Sequence, residues 1–354
     1  MFLPHELIIQ ILLRLPVKSL IRFKSVCKLW FSLISHDSHF ANSHFQLTTN
    51  RRILLISPSE SLSIDFEASL DDDSACVSLN PDSIFPQYFQ NFYITGSCRG
   101  FILICCSLNI FIWQPSTGDH KHIPLSPFGS NLDAAYFYGF GYEDSTDDYL
   151  VVSMSQHGYS DDSPLHLEYF SLKANTWKVV EGLHSPYTLD DDPRGGCLYK
   201  GAIHWVAFCH VFGYDVIVDF NLMERKLSYM HVPCSSPSRC DLWVYGEFFS
   251  AYVRNYSNDT VEIWVMKEYK VNSSWIMTLV LPIDRIPNDD FSLLCCTESG
   301  DIIGSNDGVG LVKYDENGQF LEQHSYSNYD LSLQVTMYID SMLSLPSDGD
   351  NEED

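Results

Sequence analysis

Lysine and arginine are scarce in this chain, 21 against 46 aspartates and glutamates, for a net charge of -25. A surface that acidic repels phosphate backbones, which argues against nucleic acid as a partner. No apolar run approaches the roughly 20 residues of a membrane span. No basic segment precedes the apolar stretch LIIQILL at residues 7–13, so it does not read as a secretory signal. Among the eleven cysteines there is no C-x-x-C pair, and neither an H-x-x-x-H spacing nor a G-x-S-x-G elbow occurs. These absences remove the usual sequence support for structural zinc, a metalloprotease helix and a serine hydrolase.

An odd cysteine count, with adjacent pairs at 105–106 and 295–296 inside apolar runs, reads as buried free thiols in a reducing compartment. The expected location is therefore the cytoplasm, the nucleus or both. The sequons at Asn255, Asn258 and Asn272 are then chance matches. Aromatic residues make up 14% of the chain, which suits a β-rich protein.

The first 45 residues differ from the rest. Pro4 and Glu6 suit the opening of a helix, which the pattern extends from His5 to Leu15, where Pro16 ends it. Around this helix only Glu6, Gln10 and Arg14 form a polar stripe, so more of its surface is apolar than one packed face requires. A second helix is predicted over Val17 to Cys27, and a short third one carries Leu29, Trp30, Leu33 and Ile34. His36 to Thr49 follows as a helical or extended linker anchored by Phe40 and Phe45. Three small helices cannot enclose this much apolar surface. It must meet either the following domain or a second protein. Residues 1–52 hold Arg14, Lys18, Arg22, Lys24, Lys28, Arg51 and Arg52 against Glu6 and Asp37, a balance of +5, which leaves -30 for the remainder. A basic helical module suits an acidic protein partner better than nucleic acid, for which no recognition motif is present.

From Gly96 a second pattern sets in. An alternating strand ends in an aromatic, a polar turn follows, and a strand returns: IFIW-QPSTGD-HKHIP, LEYF-SLKANTW, VIVDF-NLMERKL, VEIW-VMKEYKVNSSW and LVKY-DENGQF. The anchors Trp113, Phe170, Phe220, Trp264 and Tyr314 are 57, 50, 44 and 50 residues apart. Strand-built repeats of about 40–50 residues are the mark of propeller blades. A sandwich or two sheet domains is the alternative, and the spacing leaves the number of blades open.

The stretch LPHELIIQILLRLPVKSLIRFKSVCKLWFSLI resembles the F-box of plant F-box proteins, with the LPxEL start, the RLPVKSL joint and the VCKxW segment in order. The motif opens at Leu3, so no stabilising lead-in is expected before it. The resemblance implies binding to the Skp-type adaptor of a cullin-RING ubiquitin ligase. It places Leu3, Pro4, Leu7, Ile8, Ile11, Leu12, Leu15, Pro16, Leu20, Val26, Cys27, Trp30 and Leu33 at adaptor-contact or F-box core positions, without separating the two. The region 96–325 resembles the kelch-like F-box-associated domain that follows the F-box in such proteins, on GSCRGFILIC, WQPSTGDHKHIP, YGFGYEDSTDDYLVV, YFSLKANTW, GAIHWV and VEIWVMKEY.

The expected fold class is α+β, a three-helix F-box followed by an all-β, propeller-like domain. The expected divisions are 1–48 for the F-box, 49–95 for a linker and first strands, 96–340 for the substrate-binding domain and 341–354 for a solvated acidic tail. The implied function is a non-catalytic substrate receptor that needs no cofactor or metal. The rival is a β-propeller enzyme or a sugar-binding lectin capped by helices, with perturbed polar groups around a central channel.

Local candidates for chemistry read as structure. Gly139-Phe140-Gly141 lacks a third glycine and suits a strand bend. Glu143, Asp144, Asp147 and Asp148 lack the pattern of a calcium loop. His210, His231, Cys234 and Cys240 lack zinc spacing, and His204 beside Trp205 suits a blade core.

Overall fold

The structure is a computed structural model, and it describes residues 4–48, 50–57, 60–79, 92–106, 109–126, 128, 134–157, 165–181, 187–188, 194–233, 240–255, 258–282, 291–306, 310–326 and 333–346. It opens with four helices: α1 (His5–Leu12), α2 (Val17–Phe23), α3 (Lys28–His36) and α4 (Ser38–Leu47). Helix α1 is shorter than its apolar pattern, because the residue before a proline is pushed out of the helical region. The chain turns instead through Arg14 and Leu15, whose N–H groups donate to Ile11 and Leu12. Helix α2 stops at Phe23, and Cys27 is fully extended at the start of α3.

The fourth helix corrects the three-helix expectation and resolves the segment that sequence left between helix and linker. Its start is fixed by Asp37, which accepts a hydrogen bond from the Phe40 N–H at 2.9 Å. Buried His44 donates from Nε2 to the Leu15 carbonyl at 2.8 Å, satisfying a group left open where α1 ends. Leu12, Leu13, Val17, Leu20, Ile34 and Phe40 pack into one cluster.

Beyond the helices the described elements are antiparallel strands, apart from one short parallel strand and two single-turn helices. Six sheets stand in a ring as the blades of a β-propeller. Blade I joins the two ends of the domain: Gln334–Ile339 lies innermost and pairs with Arg51–Ile56, followed outward by Ser61–Asp65 and Cys76–Leu79. Blade II is Tyr93–Cys98, Phe101–Cys106, Asn109–Trp113 and His120–Ile123. Blade III is Ala134–Glu143, Asp148–His157, Leu165–Ser171 and Thr176–Val179, with Arg194–Gly195 added in parallel to its first strand. Blade IV is Cys197–Tyr199, Ala202–Cys209, Tyr214–Asn221 and Lys226–His231, with Tyr187–Thr188 pairing on Ala202–Cys209. Blades V and VI are Cys240–Tyr245, Phe248–Asn255, Thr260–Met266 and Trp275–Pro282, then Phe291–Cys296, Ile302–Asn306, Gly310–Tyr314 and Phe320–Ser325.

A strand buried on both faces needs apolar residues at every position. In Arg51–Ile56, Ile53 and Leu55 face blade VI while Leu54 and Ile56 face blade II. In Phe101–Cys106, Phe101, Leu103 and Cys105 face blade III while Ile102, Ile104 and Cys106 face blade I. This explains the unbroken runs ILLI and FILICC.

The spacing of the aromatic anchors is the blade period, and each anchor lies at or near the end of the third strand of blades II to VI. Two expected divisions move. The ring begins at Arg51 rather than 96, because the first three strands form a blade with the last. Residues 341–343, placed in a solvated tail, are buried: Ser341 lies against Gly100, Met342 joins the helical cluster, and Leu343 joins the core between blades II and III.

Candidate protein-docking surface

The thirteen F-box positions separate into two groups. Leu12 and Leu20 are buried, and Ile8, Leu15, Trp30 and Leu33 pack partly against the same cluster, with the Trp30 and Phe23 ring centroids 5.4 Å apart. Pro4, Leu7, Ile11, Pro16, Val26 and Cys27 are exposed. Three of these are large for such exposure: Leu7 at 51%, Ile11 at 49% and Val26 at 59%. Leu3 lies outside the described residues. Leu7 and Ile11 occupy successive turns of one face of α1, and Leu12, one position on, points into the cluster. Sequence reasoning did not select Leu29 or Phe31, which are also exposed. Only their apolar character between charged and polar neighbours could have marked them. A groove of about 450 Å³ beside them is lined by His5, Leu29, Leu33 and His36. Arg14, Lys18, Arg22 and Lys28 are exposed on the same module. Exposed apolar anchors on a cationic module can dock an acidic protein with an apolar binding face.

The module is tied to one end of the ring. Arg99, in the first turn of blade II, donates to Asn42 Oδ1 at 2.7 Å and stacks over the rings of Phe45 and Tyr142. Gln114, in the last turn of the same blade, donates from Nε2 to the carbonyls of Ser341 and Leu343 at 3.1 and 2.9 Å. Asp340 accepts from Asn50 and Ser116. The chain end is thus a strap between the helices and the ring.

The channel through the ring, about 810 Å³, is lined by the innermost strands. The perturbed groups beside it are held neutral by burial. Buried Cys295 has its thiol pKa pushed up. His204 is fully buried, its Nδ1 bonded to the Cys197 carbonyl at 3.0 Å and its Nε2 to the Tyr269 hydroxyl at 2.7 Å, and burial lowers its pKa to about 4. Its strand neighbour Asp219 accepts from Lys270 Nζ at 2.6 Å and from Ser228 at 2.7 Å, so the set reads as a seam between blades IV and V. The linkage has a definite sign. Below pH 6.5 the unfolded chain takes up a proton that folded His204 refuses until about pH 4, so stability falls with pH across that window, by up to roughly 3 kcal/mol. Denaturation of a His204→Gln variant is expected to show a pH slope shallower by about one proton between pH 6.5 and 4.5; an unchanged slope would contradict the assignment.

The other candidates are structural. Gly139 and Gly141 lie within a regular strand rather than at a bend, and a Cβ at Gly139 would meet Ile203 at 2.5 Å. Glu143 accepts from Ser145 and Thr146 within its own turn, and Arg225 lies 3.7 Å away. His210 bonds Thr188, His231 packs among rings, Cys240 is buried, and Cys234 lies outside the described residues. Among the described residues no three His, Cys, Asp or Glu side chains come together as a metal site.

Two family models cover nearly all of this architecture. Residues 2–46 match the F-box-like model, and residues 48–325 match the F-box associated beta propeller domain. An F-box/kelch-repeat protein of Arabidopsis thaliana is 26% identical over 304 residues, spanning 80% of this chain and 81% of its own length. The F-box protein CPR1 of the same plant is 29% identical over 307 residues, spanning 77% and 71%.

Proposed function

The chain belongs to the family of F-box proteins with an F-box-associated β-propeller, and from that premise we propose that it is the substrate receptor of a Skp-cullin-F-box ubiquitin ligase. The helical module docks on the Skp-type adaptor through exposed Leu7, Ile11 and Val26, with Pro4 and Pro16 at the helix starts. The propeller holds a protein target. The chain lends no side chain to the chemistry, and it acts in the cytoplasm or nucleus. Its contribution is to keep a target lysine at high effective concentration near the charged conjugating enzyme.

The observation that carries this reading is the division within α1. Leu12 fills the chain's own core, whereas Leu7 and Ile11 stay in water although the helices, the strap and the ring are all in place. Burying each in a partner is worth about 1.5–3 kcal/mol. The test is capture of the full chain by a purified Skp-type adaptor, with and without the paired changes Leu7→Asp and Ile11→Asp. Both sites are exposed, so the fold is retained while affinity is expected to fall by about 100-fold or more. Equal capture of both proteins would rule the reading out. A domain at -30 also favours basic or neutral targets over phosphorylated ones.

A further inference from the structure

Successive strands of a blade run in opposite directions, so the turns between first and second strands and between third and fourth share one end of the ring. Arg99 and Gln114 lie in such turns, which places the helices and the strap at that end. The hairpins between second and third strands open at the other end, away from the adaptor-docking module.

In blade IV that hairpin runs FCHVFGY over residues 208–214. It is closed by Gly213, whose positive φ of 75° suits glycine and whose N–H donates to the Cys209 carbonyl at 2.8 Å. Val211 at its tip is 73% exposed, and Phe208, Phe212, Tyr214 and Tyr229 each leave over a third of their surface in water. Phe212, Tyr214 and Tyr229 gather into one cluster with His231. The centroid of Phe212 lies 5.6 Å from Tyr214, 5.5 Å from Tyr229 and 5.6 Å from His231. His231 in turn lies 5.9 Å from Tyr214 and 6.0 Å from Tyr229. Pre-assembled, half-exposed tyrosine and phenylalanine are the composition of a binding hot spot.

The chemistry of the occupant is set by charge. Aromatic faces attract cations. Neither residues 202–216 nor 227–233 contain a lysine or arginine, Asp215 follows the last ring of the hairpin, and residues 53–354 carry -30. We propose that this cluster is the target-docking site, and that its occupant is a segment of the target protein bearing lysine or arginine beside an apolar residue. The site rests on the receptor reading above and specifies which end of the ring, which blade and which class of target. The cation lies against Phe212, Tyr214 and Tyr229, and its apolar neighbour covers Val211. A target held here stands at the opposite end of the ring from the adaptor, with the hairpin presenting it outward.

A display library of short random peptides panned on the full chain tests this. Enriched peptides are expected to pair lysine or arginine with an apolar residue. Resynthesised, they are expected to bind the Phe212→Ala, Tyr229→Ala double variant about tenfold or more weakly than the parent, and to lose affinity when their lysine becomes glutamine. The variant must keep the parent's melting temperature and its capture by the adaptor, so a failure here leaves adaptor docking standing. Peptides that bind both proteins equally, acidic peptides, or no enrichment at all would each overturn the proposal.

Discussion

Replacing Met342 or Leu343 by alanine is expected to cost about 2–5 kcal/mol each, although both lie within a dozen residues of the end of the chain. The two side chains point into different cores. Met342 is buried among Leu12, Leu20 and Phe40 of the helices, and Leu343 among Phe101, Phe140 and Tyr149 of blades II and III. Between them the backbone is clamped by Gln114, and buried Ser341 leaves no room for a Cβ at Gly100, whose ideal position lies 2.3 Å from the Ser341 Cβ. Met342→Ala should loosen the helices first, with faster proteolysis between α4 and Arg51. Leu343→Ala should lower the urea midpoint of the ring. Because the residues are adjacent and share one clamp, the double change should fall short of the sum. Two variants that each melt within 0.5 kcal/mol of the parent would show that the strap only lies on the surface. Its weight is geometric, since a strap that fastens the helices to the ring fixes how the two parts of the chain stand relative to each other.

The strap was hidden from sequence because nothing local in SMLSLP distinguishes a buried edge from a hydrophobic beginning to an acidic tail. The same limit explains blade I. Its third strand does carry the aromatic signal: buried Phe66 follows Ser61–Asp65, 47 residues before Trp113 and on the period of the other anchors. The turn after it is acidic and serine-rich, and the partner strand lies at the far end of the domain. Closure by pairing residues 51–56 with 334–339 is a non-local contact, and local periodicity cannot report it. Blades II to VI were legible because each is built from consecutive segments that repeat the same pattern of aromatic, polar turn and return strand.

The helical module was legible as a whole and not in its parts. Proline positions and apolar spacing located α1, α2 and α3, and the F-box resemblance agrees with the F-box-like model over residues 2–46. Telling Ile11 from Leu12 was beyond the sequence, because a helix apolar around most of its circumference gives no sign of which side its own chain will cover. That choice is made by α4, whose Asp37 cap was readable but whose pattern is weakly amphipathic, and by Met342, which arrives from some 330 residues away. The aromatic cluster on blade IV was missed for a related reason. Phe212 and Tyr214 are near in sequence, but Tyr229 and His231 join them only through strand pairing.

Trp205→Ala is expected to be among the most costly single changes in the ring, at about 3–5 kcal/mol. The indole is almost fully buried at the joint between blades III and IV, and its Nε1 donates to the Tyr138 carbonyl at 3.0 Å. Two glycines make room for it. A Cβ on Gly139 would come within 2.8 Å of the ring, and one on Gly196 within 2.8 Å, while both would press on Ile203 at 2.5 and 2.2 Å. This crowding predicts the sign of a second change. In the parent, Gly139→Ala overpacks the joint and should cost about 1–3 kcal/mol. In Trp205→Ala, the indole that stood 2.8 Å from the added methyl is gone while Ile203 at 2.5 Å remains, so Gly139→Ala should still cost stability but clearly less than in the parent. Urea denaturation of the four proteins in this cycle measures the coupling. Additive costs would mean that the glycine is there for some other reason than the close approach of the next blade.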